Sequence, residues 1–156
     1  MRKRGKYFCF RDGSSFLGND YKTQIQYLGI KFINSWHLYS YLIANNMRDE
    51  GLVGKILGTH SIRDISRIRR EVDNWIPDET RLEAMTKCID LKFRSNPVIH
   101  QFLIDPKYDN LGFVYADKYD NFWGIGRGEC DDGIDNPKNW NGENKLGKII
   151  TETRRC

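Results

Sequence analysis

Apolar positions along most of this chain recur at helical spacing, with short alternating stretches near the beginning and in the last third. Residues 7–33 read as brief strands joined by turns, because Gly13-Ser14-Ser15 and Gly18-Asn19-Asp20 punctuate them and Gln24 to Phe32 partly alternates. Asn34 or Ser35 then offers a cap for a helix running to Asn46. Trp36, Leu38, Tyr39, Tyr41, Leu42 and Ile43 lie nearly all round that helix, which places it at the centre of the fold.

A short helix is predicted over Glu50–Leu57, and Gly58-Thr59 breaks the chain before the next, from about Ser61 to Asp73. Its buried stripe is predicted to be Ile62, Ile65, Ile68 and Val72, leaving Arg63, Arg67 and Arg70 on a solvated basic face or at a phosphate. Pro77-Asp78 opens a long helix through Arg94, striped by Leu82, Met85, Ile89 and Phe93, and Asn96-Pro97 starts another. Leu111–Tyr115 reads as a strand, and the last helix runs from about Asn144 to Arg154. Between them, Gly124–Gly142 holds five glycines and is predicted to be a long functional loop.

With 156 residues, 39% hydrophobic and 13% aromatic, the chain bounds to one domain without disorder. Lys plus Arg number 25 against 21 Asp plus Glu, and the excess of 4 equals Arg2, Lys3, Arg4 and Lys6. The expected division is therefore a basic tail over residues 1–6 and one near-neutral domain over 7–156, without the overall basic field of a nonspecific DNA binder. Cys9, Cys88, Cys130 and Cys156 lack paired-ligand spacing, so no zinc ribbon or C-x-x-C centre is expected. No apolar run approaches the roughly 18 residues of a membrane span, and the apolar stretch at Tyr7–Phe10 is too short for a signal core. The expectation is a cytoplasmic (intracellular) protein with free thiols and no membrane partner.

Most short motifs fail on inspection. Gly142 to Lys148 fits G-x-x-x-x-G-K, yet Ile149 stands where a nucleotide site needs a hydroxyl for magnesium. The acids Glu129, Asp131, Asp132 and Asp135 lack the order of a calcium loop, and His37, His60 and His100 are not spaced for a metal, so neither metal nor cofactor is expected. What stands out is Asp120-Asn121-Phe122-Trp123-Gly124-Ile125-Gly126, followed by Trp140 to Gly147 and Arg154. A carboxylate beside a Trp, at a glycine loop that runs into a helix N-terminus, is either a nucleotide-sugar pocket or a Trp-anchored turn closing the fold.

These residues resemble the C-terminal signature of the NADAR, or YbiA-like, family: D-x-x-W-G-x-G, a variable loop, G-x-N-x-L-G and an Arg seven residues on. Asp120, Trp123, Gly124, Gly126, Gly142, Asn144, Leu146, Gly147 and Arg154 occupy those places. Trp75 matches a family Trp before the long helix, Lys92-Phe93 its K-F pair, and Gly29 to His37 the family's approach to the central helix. The resemblance implies an α+β, helix-rich single domain with small β-sheet elements. It further implies an N-glycosidase, a hydrolase of an ADP-ribosyl or nucleotide-like N-glycosidic bond. The partner would be a nucleotide-like small molecule or an ADP-ribosylated base, nucleic acid included. Carried over by position, Asp120 is the catalytic carboxylate, while Trp75, Trp123, Gly124, Gly126, Asn144, Trp36, His37, Lys92 and Arg154 bind substrate.

Three places depart from the family pattern. Trp36 stands for a Glu, Ile43 for a Lys, and Tyr115 for the Glu of an L-V-E strand. If two carboxylates share the work, losing one costs roughly 10²–10⁴ in rate. Glu129, Asp131 and Asp117 are the candidates to replace it. The alternative implied is a degenerate member that binds a nucleotide, ADP-ribose or a protein partner without turnover.

Overall fold

The computed structural model describes residues 2–11 and 13–156; Met1, in the expected tail, and Asp12 lie outside the described residues. The chain divides into two compact units, one built from residues up to Tyr21 with Pro97–Cys156 and the other from Lys22–Asn96. The fold is α+β, as the periodicity predicts, with six α-helices and two small sheets among the described residues.

In the first unit, strands β1 (Arg2–Arg4), β2 (Tyr7–Phe10) and β5 (Gly112–Tyr115) form a sheet in the order β1-β2-β5, antiparallel then parallel. Within the expected basic tail, Arg2–Arg4 is an edge strand, turned by Gly5 at φ +60°. Arg4 is held there because its guanidinium donates to the backbone carbonyls of Glu129 (3.0 Å) and Asp131 (3.1 Å). Charged residues suit an edge strand, where they discourage further pairing. Helices α5 (Pro97–Leu103) and α6 (Lys145–Arg155) complete the unit, with α6 packed on β5. Cys9, Val114, Ala116, Ile125 and Ile134 form a buried cluster capped by Tyr7 and Trp140.

The second unit holds the hairpin β3 (Ile25–Tyr27) and β4 (Ile30–Phe32), then α1 (Ser35–Asn46), α2 (Glu50–Gly58), α3 (Ile62–Asp73) and α4 (Asp78–Arg94). Leu28 and Gly29 turn the hairpin with φ of 52° and 77°, the mirror-image turn that matches strand twist. Asn34, Asp49 and Ser61 cap α1, α2 and α3 by accepting from the backbone N–H groups of His37, Leu52 and Asp64. Helix α1 buries nine of its 12 residues and contacts α2, α3 and α4, the central place its all-round apolar pattern predicts. One expected core position fails. Ile62 is 43% exposed, since it opens α3 beside the Ser61 cap, while Ile65, Ile68 and Val72 are buried.

Candidate functional site

The residues singled out by sequence fall into both units. Asp120, Trp123, Gly124, Gly126, Asn144 and Arg154 belong to the first; Trp36, His37, Trp75 and Lys92 belong to the second.

Asp120 is half-buried, and its Oδ1 accepts from the backbone N–H groups of Phe122 (3.0 Å), Trp123 (2.8 Å) and Gly124 (3.4 Å). A carboxylate with that many backbone donors pins the turn after it. Trp123 then goes inward, fully buried and edge-to-face with Phe122 at 4.7 Å, so it is not the open aromatic wall expected at the loop mouth. Gly124 is needed for closeness rather than for a ligand: a Cβ there would sit 2.9 Å from the carbonyls of both Asp120 and Tyr115. Gly126, at φ +67°, lies against the Asn121 side chain.

Asn144 precedes α6 in the left-handed region at φ 53°, which Asn tolerates better than most residues. Its buried amide brackets β5, donating to the Phe113 carbonyl (3.0 Å) and accepting from the Tyr115 N–H (2.9 Å). Gly147, one turn on, leaves no room for a side chain against the Phe113 carbonyl. Arg154 donates to the carbonyls of Leu103 (2.9 Å) and Asp105 (3.0 Å) and to Asp109 Oδ1 (2.6 Å), tying α6 to the chain after α5. Asn144 and Arg154, expected to bind substrate, make these hydrogen bonds within the fold.

The acids named as replacements are engaged locally as well. Asp117 accepts from the Tyr119 N–H (2.8 Å) and the Tyr115 hydroxyl (3.1 Å). Asp131 accepts from the Gly128 N–H (2.8 Å), which with the Arg127 guanidinium holds its carboxyl below the usual range. Glu129 gives its backbone carbonyl to Arg4.

In the second unit the head of α1 meets α4. His37 is buried: its Nδ1 accepts from the Ile33 N–H (3.2 Å), so Nε2 carries the proton and donates to the Ile56 carbonyl (2.8 Å). Burial lowers its pKa, and the imidazole is a neutral pin between β4, α1 and α2. Trp36 is 1% exposed and lies under the Arg69 guanidinium, 3.8 Å from the ring centroid. Arg69 and Arg81 flank Asp73 at 3.6 and 3.5 Å, and the Tyr39 hydroxyl donates to that same carboxylate (2.5 Å). The indole thus occupies a cationic corner where a carboxylate would have been paired.

Lys92 is the cation of this unit that burial perturbs most clearly. It is fully buried on α4, and loss of solvent drives its pKa down to about 7 from 10.5, opposed by the Cys88 thiol one turn earlier. Cys88 donates to the Ser35 carbonyl (3.1 Å), fixing this stretch of α4 to the first turn of α1, and burial raises its own pKa to about 12. Lys92 Nζ also lies 5.5 Å from the Phe93 ring. An amine with a pKa near 7 is divided between its two forms at neutral pH, the condition for moving protons. Trp75, just past α3, is 81% exposed.

Sequence reasoning missed the Asp73 cluster. Its only signal was an acid four residues after Arg69 at the end of α3, which ordinary helix pairing also explains. Among the described residues, no group of His, Cys, Asp and Glu could hold a metal ion, and no helix is long and apolar enough to cross a membrane.

Comparison with known proteins agrees with the architecture. Among solved structures, the chain is similar to the E. coli protein YbiA, determined by NMR, with a TM-score of 0.73 at 20% identity over 98% of this chain and 86% of that one. No curated protein matches. The NADAR domain matches residues 1–156, the whole chain including β1, and the protein belongs to the NADAR family.

Proposed function

We propose that the protein is an N-glycosidase-type hydrolase of an ADP-ribosyl or nucleotide-like N-glycosidic bond, with Lys92 as its proton-transferring group. Family membership supports the reaction class, and the observation that carries the assignment is the buried Lys92 amine with its pKa near 7. Cleavage requires a nucleophile at an anomeric carbon that becomes oxocarbenium-like. In this reading the neutral amine takes a proton from water as the oxygen bonds to that carbon. The C–N bonding pair leaves with the base, and the ammonium returns the proton to the base nitrogen. A pKa near the working pH suits both halves. Asp120 is a positioning residue in this scheme, since its carboxylate orders the Phe122–Gly124 turn.

The test is hydrolysis of an ADP-ribosylated guanine nucleoside. Lys92→Met is expected to lower kcat by roughly 10²–10⁴. The wild-type rate should rise with pH through a midpoint near 7, because the neutral amine is the active form. Full turnover in a folded Lys92→Met protein would remove the assignment.

A second reading, binding without turnover, is favoured by Trp36 filling the Arg69 corner. It expects ADP-ribose to raise the Tm of a wild-type protein that cleaves nothing. Trp36→Glu would then restore a carboxylate beside Arg69. Losing the buried indole costs about 3 kcal/mol, part of which the new ion pair would offset.

A further inference from the structure

The head of α1 holds buried polar groups that the chemistry above does not use. Asn34 and Ser35 are 1% and 0% exposed, yet among the described residues the Asn34 Nδ2 amide and the Ser35 hydroxyl have no hydrogen-bond partner. Asn34 spends its other end, Oδ1, on the His37 N–H (2.9 Å), and the Cys88 thiol donates to the Ser35 carbonyl (3.1 Å) rather than to the hydroxyl. Buried polar side chains are rarely unmatched, so two neighbouring donors without acceptors mark a place suited to an anion. The first turn of α1 also holds no acid to answer the positive end of its dipole. Helix α4 brings Lys92 to this place. Cys88, one turn before Lys92, is fixed to Ser35, and Asn96, one turn after, donates to the Lys92 carbonyl (2.7 Å) and the Gln24 carbonyl (3.1 Å). Asn96 also accepts from the Thr23 hydroxyl (2.9 Å), and the Thr23 N–H donates to the Ile33 carbonyl (3.0 Å). Lys92, fully buried between these anchors, is held against the chain that enters α1.

From this juxtaposition we infer that the head of α1 is a carbamylation site, where carbon dioxide adds to the Lys92 amine and the Asn34 and Ser35 donors hold the carbamate. The nitrogen lone pair forms the N–C bond, one C=O electron pair of carbon dioxide moves onto oxygen, and the nitrogen loses one proton to solvent. Nothing is oxidised or reduced. The reaction needs a neutral amine, and burial supplies one near neutral pH. It also needs an electrophile that can cross apolar packing, and carbon dioxide is small and uncharged, as phosphoryl donors are not. The product is an anion, which an interior tolerates only when it is hydrogen-bonded. Two donors for its two oxygens, at a helix N-terminus, meet that demand. The inference goes beyond the proton-transfer reading of Lys92 and shares with it only the neutral amine.

The test is carbon-13 nuclear magnetic resonance of the full chain in carbon-13 bicarbonate, which keeps dissolved carbon dioxide present. The pH is set between the Lys92 pKa of about 7 and the ordinary lysine value of 10.5, so that other lysines stay protonated. An α-amino group, with an ordinary pKa of about 7.7–8.0, also reacts, so the Lys92 carbamate is the resonance that Lys92→Met removes. One such resonance is expected in the wild type. Ser35→Ala deletes a hydroxyl that has no partner in the fold, so it should leave Tm unchanged and weaken carbamate formation roughly ten-fold. Asn34→Asp keeps the capping oxygen but sets a like charge in place of the donor, and should abolish the resonance in a folded protein. Identical carbamate resonances in wild type and Lys92→Met would overturn the inference. With a Lys92 midpoint near 7, that result leaves the proton-transfer assignment standing. A Lys92 carbamate undiminished in both Ser35→Ala and Asn34→Asp would overturn the site at the head of α1.

Discussion

The Asp120–Gly147 segment and the α1–α4 pair differ in how sequence and chemistry divide between them. The first carries the most specific motif in the chain, and its side chains act on the backbone. Asp120 holds three N–H groups, Asn144 brackets β5, and Gly124 and Gly147 permit close approach. The second has a weak motif, broken at Trp36, yet it holds the buried Lys92 amine, whose pKa burial lowers to about 7. A spaced motif of Gly, Asn and Asp can therefore encode a backbone path, because those residues are the ones that path requires. Chemistry follows instead from burial of a titratable group, which spacing alone does not display.

The sharpest break between the two regions is stability. Asn144→Ala strands the Phe113 carbonyl and the Tyr115 N–H in the interior and should cost about 3 kcal/mol in urea denaturation. Gly147→Ala should cost at least as much, since its new methyl meets the Phe113 carbonyl of β5 and the Asn144 amide that brackets it.

Lys92→Met is read instead in activity and in pH dependence: turnover is expected to be lost with the titrating amine. The same group sets a pH dependence. Its folded pKa of about 7 lies below the unfolded value of 10.5, so between them the unfolded chain binds the extra proton and stability rises with pH. The expected slope is about 0.7 kcal/mol per pH unit at pH 7 and approaches about 1.4 between pH 8 and 9. Above that, Cys9 and Cys88, raised to about 11 and about 12 from 9.0, oppose the rise, since the unfolded thiols ionise first. His37, lowered from 6.5, adds a loss of stability on the acid side, as pH falls below 6.5 towards its folded pKa. In Lys92→Met the rise between pH 7 and 9 should vanish.

Much of the secondary structure was legible because caps and stripes are local. Asn34, Ser61 and Pro77-Asp78 mark helix starts that the structure reproduces within a residue. Strand β1 was not legible, because what holds Arg4 is a pair of carbonyls about 125 positions away. The hairpin turn was hidden for another reason, as Leu28 is an uncommon residue at positive φ. At the site, Lys92 was named only by likeness to a family, and its burial depends on how α4 packs against α1. Trp123 and Asn144 could equally have lined a pocket or closed a turn, and only the partners of Asn144 decide between them.

Asp120 offers a smaller but more discriminating test. Asp120→Asn keeps an oxygen for the three backbone donors, so it should cost about 1 kcal/mol and leave turnover within a few-fold. Loss of all turnover in a stable Asp120→Asn protein would return the catalytic role to that carboxylate. Smallest of all, Leu28→Asn relieves a positive φ at an exposed turn and should stabilise by a few tenths of a kcal/mol, measured as a small rise in urea midpoint.

The central claim is that Lys92 titrates near neutrality. Nuclear magnetic resonance of the lysine side chains, with the Lys92 signal assigned by its absence from Lys92→Met, measures this directly. The account predicts a midpoint of about 7 for that one resonance. A Lys92 midpoint at the ordinary lysine value of 10.5 would contradict it.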